Sequence, residues 1–276
     1  MPAPIHAAGG VFSRYLGIDY SGAGSPEQRL AGIRLYQLDG DDDQPFEVFP
    51  EGRSQRWSRR ALAAWLEARL REPVPTVVGI DHALSFPLRY FDVHGLARDW
   101  PSFLDDFQCH WPTDGVGVRV EDVRRGRVGA GAARGGEARW RRLCEQRAGG
   151  AKSVFHFDVP GSVAKSTHAG LPWVRLLRAR LGERLHCWPF EGWCPAPGRS
   201  VLVEAYPALY RDDGDCIGLT LDQCDARAVA LWLAREDRAG RLGAWFSPPL
   251  DPVARACAAI EGWILGVPAN TPSRSH

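Results

Sequence analysis

Three short apolar runs in this chain each stop at a carboxylate, and that repetition narrows the possible folds more than any other feature. They are Tyr15-Leu16-Gly17-Ile18-Asp19, Thr76-Val77-Val78-Gly79-Ile80-Asp81 and Val201-Leu202-Val203-Glu204. Each is short, aliphatic and followed or preceded by turn residues, which reads as a buried strand. Leu30 to Leu38 and Phe46 to Phe49 are further strand candidates, with Asp39-Gly40-Asp41-Asp42-Asp43 as a solvated hairpin loop between them. Short turns joining the first three strands predict an antiparallel meander. Ser58 to Leu70 then reads as a helix, with Leu62, Trp65, Leu66 and Leu70 on one stripe and Ser58 as N-cap. A helix between two strands usually makes them parallel. The expected class is therefore α/β: a mixed sheet, antiparallel over strands 1–3 and parallel afterwards, flanked by helices.

The chain's 276 residues suffice for a sizeable core and are read as one domain spanning 1–276. A long insertion of mixed, Arg- and Gly-rich character is expected after the fourth strand, at about 85–170, with Gly126 to Gly136 as a flexible loop. Insertions of such length are more often functional than idle. Helices are expected over Leu171–Leu181, from Asp222 to about Arg238, and from about Asp251 to Trp263.

The formal charge of +1 makes no general electrostatic statement, so any nucleic-acid contact must come from a local patch. Residues Met1 to Gly10 lack the basic start and apolar stretch of a signal peptide. No run approaches the roughly 18 apolar residues of a membrane span. The expectation is a cytoplasmic protein with no membrane partner. Seven cysteines, with no CxxC among them, read as reduced thiols. The nearest approach to a zinc site, His186-Cys187 with Cys194, fits the usual ligand spacings poorly.

Ligands collect outside the carboxyl ends of parallel strands, so Asp19, Asp81 and Glu204 should converge there. Packed carboxylates repel and raise one another's pKa, and a divalent cation removes the conflict. Oxygen-only ligands favour Mg²⁺ or Mn²⁺. The late helix adds Asp225, which shares a face with Asp222, Val229 and Trp232. Asp222 as N-cap with Asp225 three residues on also imitates a capping box, so a purely structural role for both is equally open. Four acids from three strands and a helix form the pattern of two-metal phosphoryl-transfer sites.

These residues resemble a family. Gly17-Ile18-Asp19-Tyr20-Ser21-Gly22, Gly79-Ile80-Asp81-His82, Val203-Glu204-Ala205-Tyr206-Pro207-Ala208, Asp225-Ala226 and Glu261-Gly262-Trp263-Ile264-Leu265-Gly266-Val267 are similar to predicted nucleases grouped as domain of unknown function 429. Ala151-Lys152-Ser153-Val154-Phe155 and Gly161 to Thr167 are similar to the middle of that family. The resemblance, from about 15 to 267, implies a ribonuclease H-like fold. It also implies metal binding by Asp19 and Asp81, with Glu204 and Asp225 completing the set. Some relatives carry His where this chain has Cys224, which leaves any auxiliary role there open.

Between Arg119 and Arg147 nine arginines face four acids, Glu121, Asp122, Glu137 and Glu145. With Trp140, this segment could track a phosphate backbone, through Arg124, Arg125 and Arg127 in particular, and so could plain solvation account for it. Lys152 and Lys165, the only lysines, could steady a phosphate, although exposed surface is their commoner role. His82 reads as structural; His168 is a possible general acid. The leading expectation is a metal-dependent nuclease or phosphodiesterase acting on nucleic acid. The alternatives are a non-catalytic binding or scaffold protein, and an ATP-using transferase of the actin and sugar-kinase type. The last would use Asp19 to Gly24 as a phosphate loop, but lacks a second such loop.

Overall fold

The computed structural model describes residues 10–52, 55–212 and 216–269. One six-stranded sheet organises them, in the order β3-β2-β1-β4-β6-β5. The strands are β1 Arg14–Asp19, β2 Arg34–Asp39, β3 Phe46–Glu47, β4 Thr76–Ile80, β5 Leu185–Cys187 and β6 Ser200–Glu204. β1–β2 and β2–β3 pair antiparallel, whereas β1–β4, β4–β6 and β5–β6 pair parallel. The mixed sheet expected from the sequence is thus present. β2 is shorter than the apolar run that suggested it, because Leu30 leaves the sheet to bridge Trp57. β5 had no periodic signal in its three residues.

Helices cover both faces. α1 Arg59–Leu70 is capped by Ser58, whose hydroxyl accepts from the Ala61 amide, and it lies beside α6 Ala164–Leu181. α7 Leu221–Arg238 crosses the opposite face over β1, β2 and β4. α8 Leu242–Phe246 and α9 Pro252–Glu261 finish the chain, α9 capped by Asp251. No helix among the described residues is long and apolar enough to cross a membrane.

The segment 85–170 departs most from expectation. It folds into α2 Leu88–His94, α3 Trp100–His110, α4 Val120–Arg124 and α5 Leu143–Arg147, with a 3₁₀ turn at Gly131–Arg134. Its Phe86, Tyr90, Phe103, Phe107, Trp111 and Phe155 are buried in the same core as Leu16, Ile18, Val78 and Ile80. The Gly126–Gly136 stretch is mostly exposed, but it is pinned at two glycines: a Cβ at Gly131 would lie 2.6 Å from the Trp111 ring, and one at Gly136 would lie 2.5 Å from Phe155. α6 begins well before the expected Leu171. Its first turns, rich in Ser, Thr, Gly and His, are buried, and tertiary packing overrides weak helix propensity.

Candidate functional site

Register decides which acids meet. β1 and β4 pair Gly17 with Gly79 and Ile18 with Ile80, so Asp19 and Asp81 end adjacent strands at the same level. Side chains alternate between faces along a strand, so both acids share the face of Gly17 and Gly79. That face lies under α7. A Cβ on Gly17 would fall 2.0 Å from the Ala226 carbonyl oxygen, and one on Gly79 would fall 2.4 Å from Val229 Cγ1. The paired glycines let α7 settle directly on the sheet, and Asp225, the residue before Ala226, is carried to the two strand ends.

Glu204 is placed otherwise. β4 and β6 pair Ile80 with Glu204, one position out of step with Asp81, so Glu204 points to the face of Ile18 and Ile80. There it meets Arg142, whose Nη2 and Nη1 donate to Glu204 Oε1 and Oε2 at 2.6 and 2.7 Å. Arg142 Nε also donates to Glu145 Oε1 at 2.9 Å. Both arginine and glutamates are buried. The convergence expected of three strand-end acids therefore joins two of them, and Glu204 is already charge-compensated.

Asp222 enters in its place. The N-cap of α7 is Thr220, which forms a reciprocal capping box with Gln223. The capping role considered for Asp222 and Asp225 is thus filled by other residues. A Cβ on Gly32 would come 3.6 Å from Asp222 Oδ2 and 3.5 Å from Ser21 Oγ, which sets Asp222 beside the loop leaving Asp19. The carboxyl group of Asp19 is pushed up to about 9, first by burial, then by Asp81, Asp222 and Asp225. Asp81 is pushed up to about 8 by burial, Asp225 and Glu204, with Arg211 opposing. Burial raises Asp225 too; Arg211 opposes that, and Asp222 adds to it. Arg211 Nε stands 3.3 Å from Asp225 Oδ1, an oxygen buried without a hydrogen-bond partner. Sequence reasoning missed Arg211 altogether. The signal for Asp222 was present in its helical spacing with Asp225.

These donors are all oxygen, as a hard cation requires. Among the described residues no three His, Cys, Asp or Glu side chains are gathered as a ready metal site. The structure contains a groove of about 780 Å³, but it opens at the other end of the parallel strands, between Pro75 and Ser200, and does not touch these acids.

The loop after Asp19 is held from beneath. Buried Arg59 donates to the carbonyls of Ser21, Ala23 and Gly24 at 3.1, 2.6 and 2.9 Å. Gly22 is required by close approach, since a Cβ there would sit 2.0 Å from the Lys165 carbonyl oxygen. Lys165 itself is exposed at the start of α6, and Lys152 Nζ donates to the Pro160 carbonyl. His82 lies beyond the end of β4, buried, with Nδ1 against the Ala83 carbonyl and its pKa pushed down to about 4 by burial. His168 is enclosed by Phe86, Phe107, Trp111 and Phe157, and burial pushes it down to about 3. Burial keeps both in the neutral form at physiological pH.

The arginine-rich segment is largely paired internally. Arg124 holds Asp158 through two bonds at 2.9 and 2.7 Å, Arg125 holds Glu121 at 2.7 Å, and Arg127 holds Asp122 at 2.9 Å. Arg134 pairs with Asp106 and Arg139 with Glu137. The cysteines also differ from expectation: Cys216 and Cys224 form a disulfide, and the other five are free. Their partnership spans eight residues and leaves no CxxC signature to find. No protein family, curated protein or solved structure matches the chain.

Proposed function

We propose that this chain is a Mg²⁺- or Mn²⁺-dependent phosphodiesterase of ribonuclease H-like fold, acting on nucleic acid. The observation that carries the reading is an acidic cluster short of positive charge. Asp19 and Asp81 end neighbouring strands beneath α7, and burial with mutual repulsion lifts them to about 9 and about 8. Asp225 and Asp222 complete the cluster from one helix turn. Carboxylates in this state are costly unless a cation joins them. A bound divalent ion would supply hydroxide near neutral pH and neutralise charge developing on a phosphoryl oxygen. Asp19, Asp81 and Asp225 would hold it, Asp222 would orient the surrounding water, and Glu204 would support the strand end through Arg142. The strand order, antiparallel then parallel with acids at the ends of the central pair, supports the resemblance to the predicted nucleases.

Calorimetric titration of Mn²⁺ and Mg²⁺ into wild type and an Asp19→Ala/Asp81→Ala variant tests this, together with cleavage assays on labelled DNA, RNA and hybrids. Binding and cleavage that vanish only in the folded variant are expected. Wild type that binds neither ion at millimolar concentration, with or without nucleic acid, would end the proposal. A non-catalytic binding protein is the second reading. It is favoured by the internal pairing of Arg124, Arg125 and Arg127, which leaves little unspent charge for a phosphate backbone.

A further inference from the structure

The turn that leaves β6 brings two side chains to the acidic cluster that the metal chemistry above does not use. The Ala205 amide donates to the Ile80 carbonyl at 2.9 Å, so the chain is still pinned beside Asp81 when it reaches Tyr206. A 3₁₀ turn, Pro207–Leu209, follows, and the amides of Tyr210 and Arg211 both donate to the Pro207 carbonyl, at 2.9 and 3.0 Å. The Tyr210 ring stacks on Trp232 of α7 at 4.4 Å between centroids, and its hydroxyl donates to the Leu265 carbonyl. Arg211 therefore has a fixed backbone and a partly exposed side chain. Tyr206 is half-buried. Burial and then Asp81 raise its pKa, with Arg211 opposing and Asp225 adding, which sets its hydroxyl within the field of the same groups.

Arg211 is not built as a compensating arginine. Arg142 shows what one looks like in this protein: fully buried, with Nη2 and Nη1 donating to the two Glu204 oxygens at 2.6 and 2.7 Å. Arg211 comes nearest to Asp225 with Nε, 3.3 Å from Oδ1, and that oxygen still has no hydrogen-bond partner. Among the described residues, Arg211 Nη1 and Nη2 donate to no other group, and neither does the Tyr206 hydroxyl. Gly150 stands against that hydroxyl, where a Cβ would lie 3.1 Å away and crowd it. Donors that structure leaves unspent beside a cluster of acids are of most use to an anion that approaches those acids.

We infer that Arg211 and Tyr206 form the phosphate-binding subsite of this centre, Arg211 Nη1 and Nη2 and the Tyr206 hydroxyl donating to the non-bridging oxygens of a substrate phosphodiester. A guanidinium offers two parallel donors in the geometry that phosphate accepts, and it stays charged at every working pH. The phenol adds a third, neutral donor. Asp19, Asp81, Asp222 and Asp225 repel a phosphodiester, so a cation placed beside them offsets part of that repulsion. The inference rests on the nuclease reading above and names the side chains that hold its substrate.

The test compares the full-length wild type with Arg211→Ala, Arg211→Lys and Tyr206→Phe. Fluorescence anisotropy follows binding of short end-labelled single-stranded DNA and RNA in Ca²⁺, over a series of KCl concentrations, and calorimetry follows Mn²⁺. Arg211 is partly exposed and Tyr206→Phe keeps the ring, so the variants retain the core. Arg211→Ala is expected to weaken oligonucleotide binding about tenfold and to lower the salt slope by about one unit, as loss of one phosphate contact does. Arg211→Lys should keep the slope and recover part of the affinity. Tyr206→Phe should weaken binding several-fold at unchanged slope, since it removes a hydrogen bond and no charge. Mn²⁺ should bind Arg211→Ala at least as tightly as wild type, because a competing cation is gone. A wild-type slope in Arg211→Ala, with Mn²⁺ still bound, overturns the phosphate subsite and leaves the metal reading standing. Joint loss of Mn²⁺ and oligonucleotide in Arg211→Ala overturns it as well, by making Arg211 a support for the acids. Wild type that binds Mn²⁺ but neither oligonucleotide overturns both the subsite and the substrate class. An Arg211-dependent slope in a wild type that binds no Mn²⁺ upholds the subsite and ends the metal reading.

Discussion

Two acidic clusters lie on opposite faces of the same strand ends, and they are built on opposite principles. Glu204, Glu145 and Glu261 are buried and fully engaged. Arg142 serves the first two, and the amides of Leu88 and Leu143 donate to Glu261 at 2.6 Å. Among the described residues, the counter-charge shown beside Asp19, Asp81, Asp222 and Asp225 is Arg211, whose side chain is 34% exposed. The first cluster fastens α5 and α9 to the end of β6. The second leaves an electrostatic deficit that packing does not require. Burial of an acid therefore does not by itself mark chemistry; the two clusters differ in whether their charge is compensated.

The sharpest way to break the contrast is to make the compensated cluster resemble the other. Arg142→Met preserves length and removes the charge, stranding Glu204 and Glu145 at 4% and 1% exposure. Losing one partner of a buried ion pair costs about 3–5 kcal/mol. Denaturant unfolding at pH 7 should show a loss of that size, whereas Arg211→Ala should cost under ~1 kcal/mol, as exposed pairs do. Equal losses would erase the distinction between the clusters.

The next effect concerns how the uncompensated cluster is assembled. Gly17→Ala places a methyl group 2.0 Å from the Ala226 carbonyl oxygen, a backbone atom that cannot rotate away. Overpacking of this kind costs about 1–3 kcal/mol and lifts α7 from the sheet. Stability should fall accordingly, and any Mn²⁺-induced rise in Tm should shrink with it. Unchanged stability would mean that α7 does not depend on the glycine pair for its position.

Proton linkage then separates the clusters without changing the backbone. Asp19 and Asp81 have folded pKa values raised to about 9 and about 8, so the folded state favours their protonated forms. Their favourable contribution is fully present below the ordinary carboxylate range and is lost as pH rises through those values. Without metal, stability should therefore decline from about pH 4 toward pH 9. Asp19→Asn should flatten the decline and stabilise the protein at pH 8 by roughly 1–3 kcal/mol, a figure held down because both residues keep some contact with solvent. Urea unfolding across that pH range checks it, and a decline that persists in the Asp19→Asn/Asp81→Asn variant would place its origin elsewhere.

How much of this was legible in the sequence follows from what each signal encodes. The apolar runs ending at Asp19, Asp81 and Glu204 marked three of the sheet's strands, because short aliphatic runs have few other uses. They could not reveal register, and a single step between Asp81 and Glu204 sends the latter to the other face. Gly17 and Gly79, each two residues before its acid, were the readable clue that those two strands alone share a close helix. The 85–170 segment was opaque because its helices are short and its aromatics follow no period; its order comes from contacts with a core far away in sequence. Arg142 and Arg211 were lost among many arginines, since composition does not distinguish a buried guanidinium from a solvated one.

The smallest effect draws the same contrast on the surface. Arg125 and Glu121 form an i, i+4 pair at 2.7 Å, a contact as short as those Arg142 makes, but with the arginine side chain 60% exposed. Water and salt screen such a pair, and holding two long side chains together costs entropy, so Arg125→Ala should change stability by less than about 0.5 kcal/mol. Its value as a probe lies in nucleic-acid binding. A phosphate reaching Arg125 must first displace Glu121, so the variant should weaken binding only slightly and leave the salt dependence nearly unchanged. A salt slope that drops by about one unit would show Arg125 to be a true phosphate contact, and would return the arginine-rich segment to the substrate path.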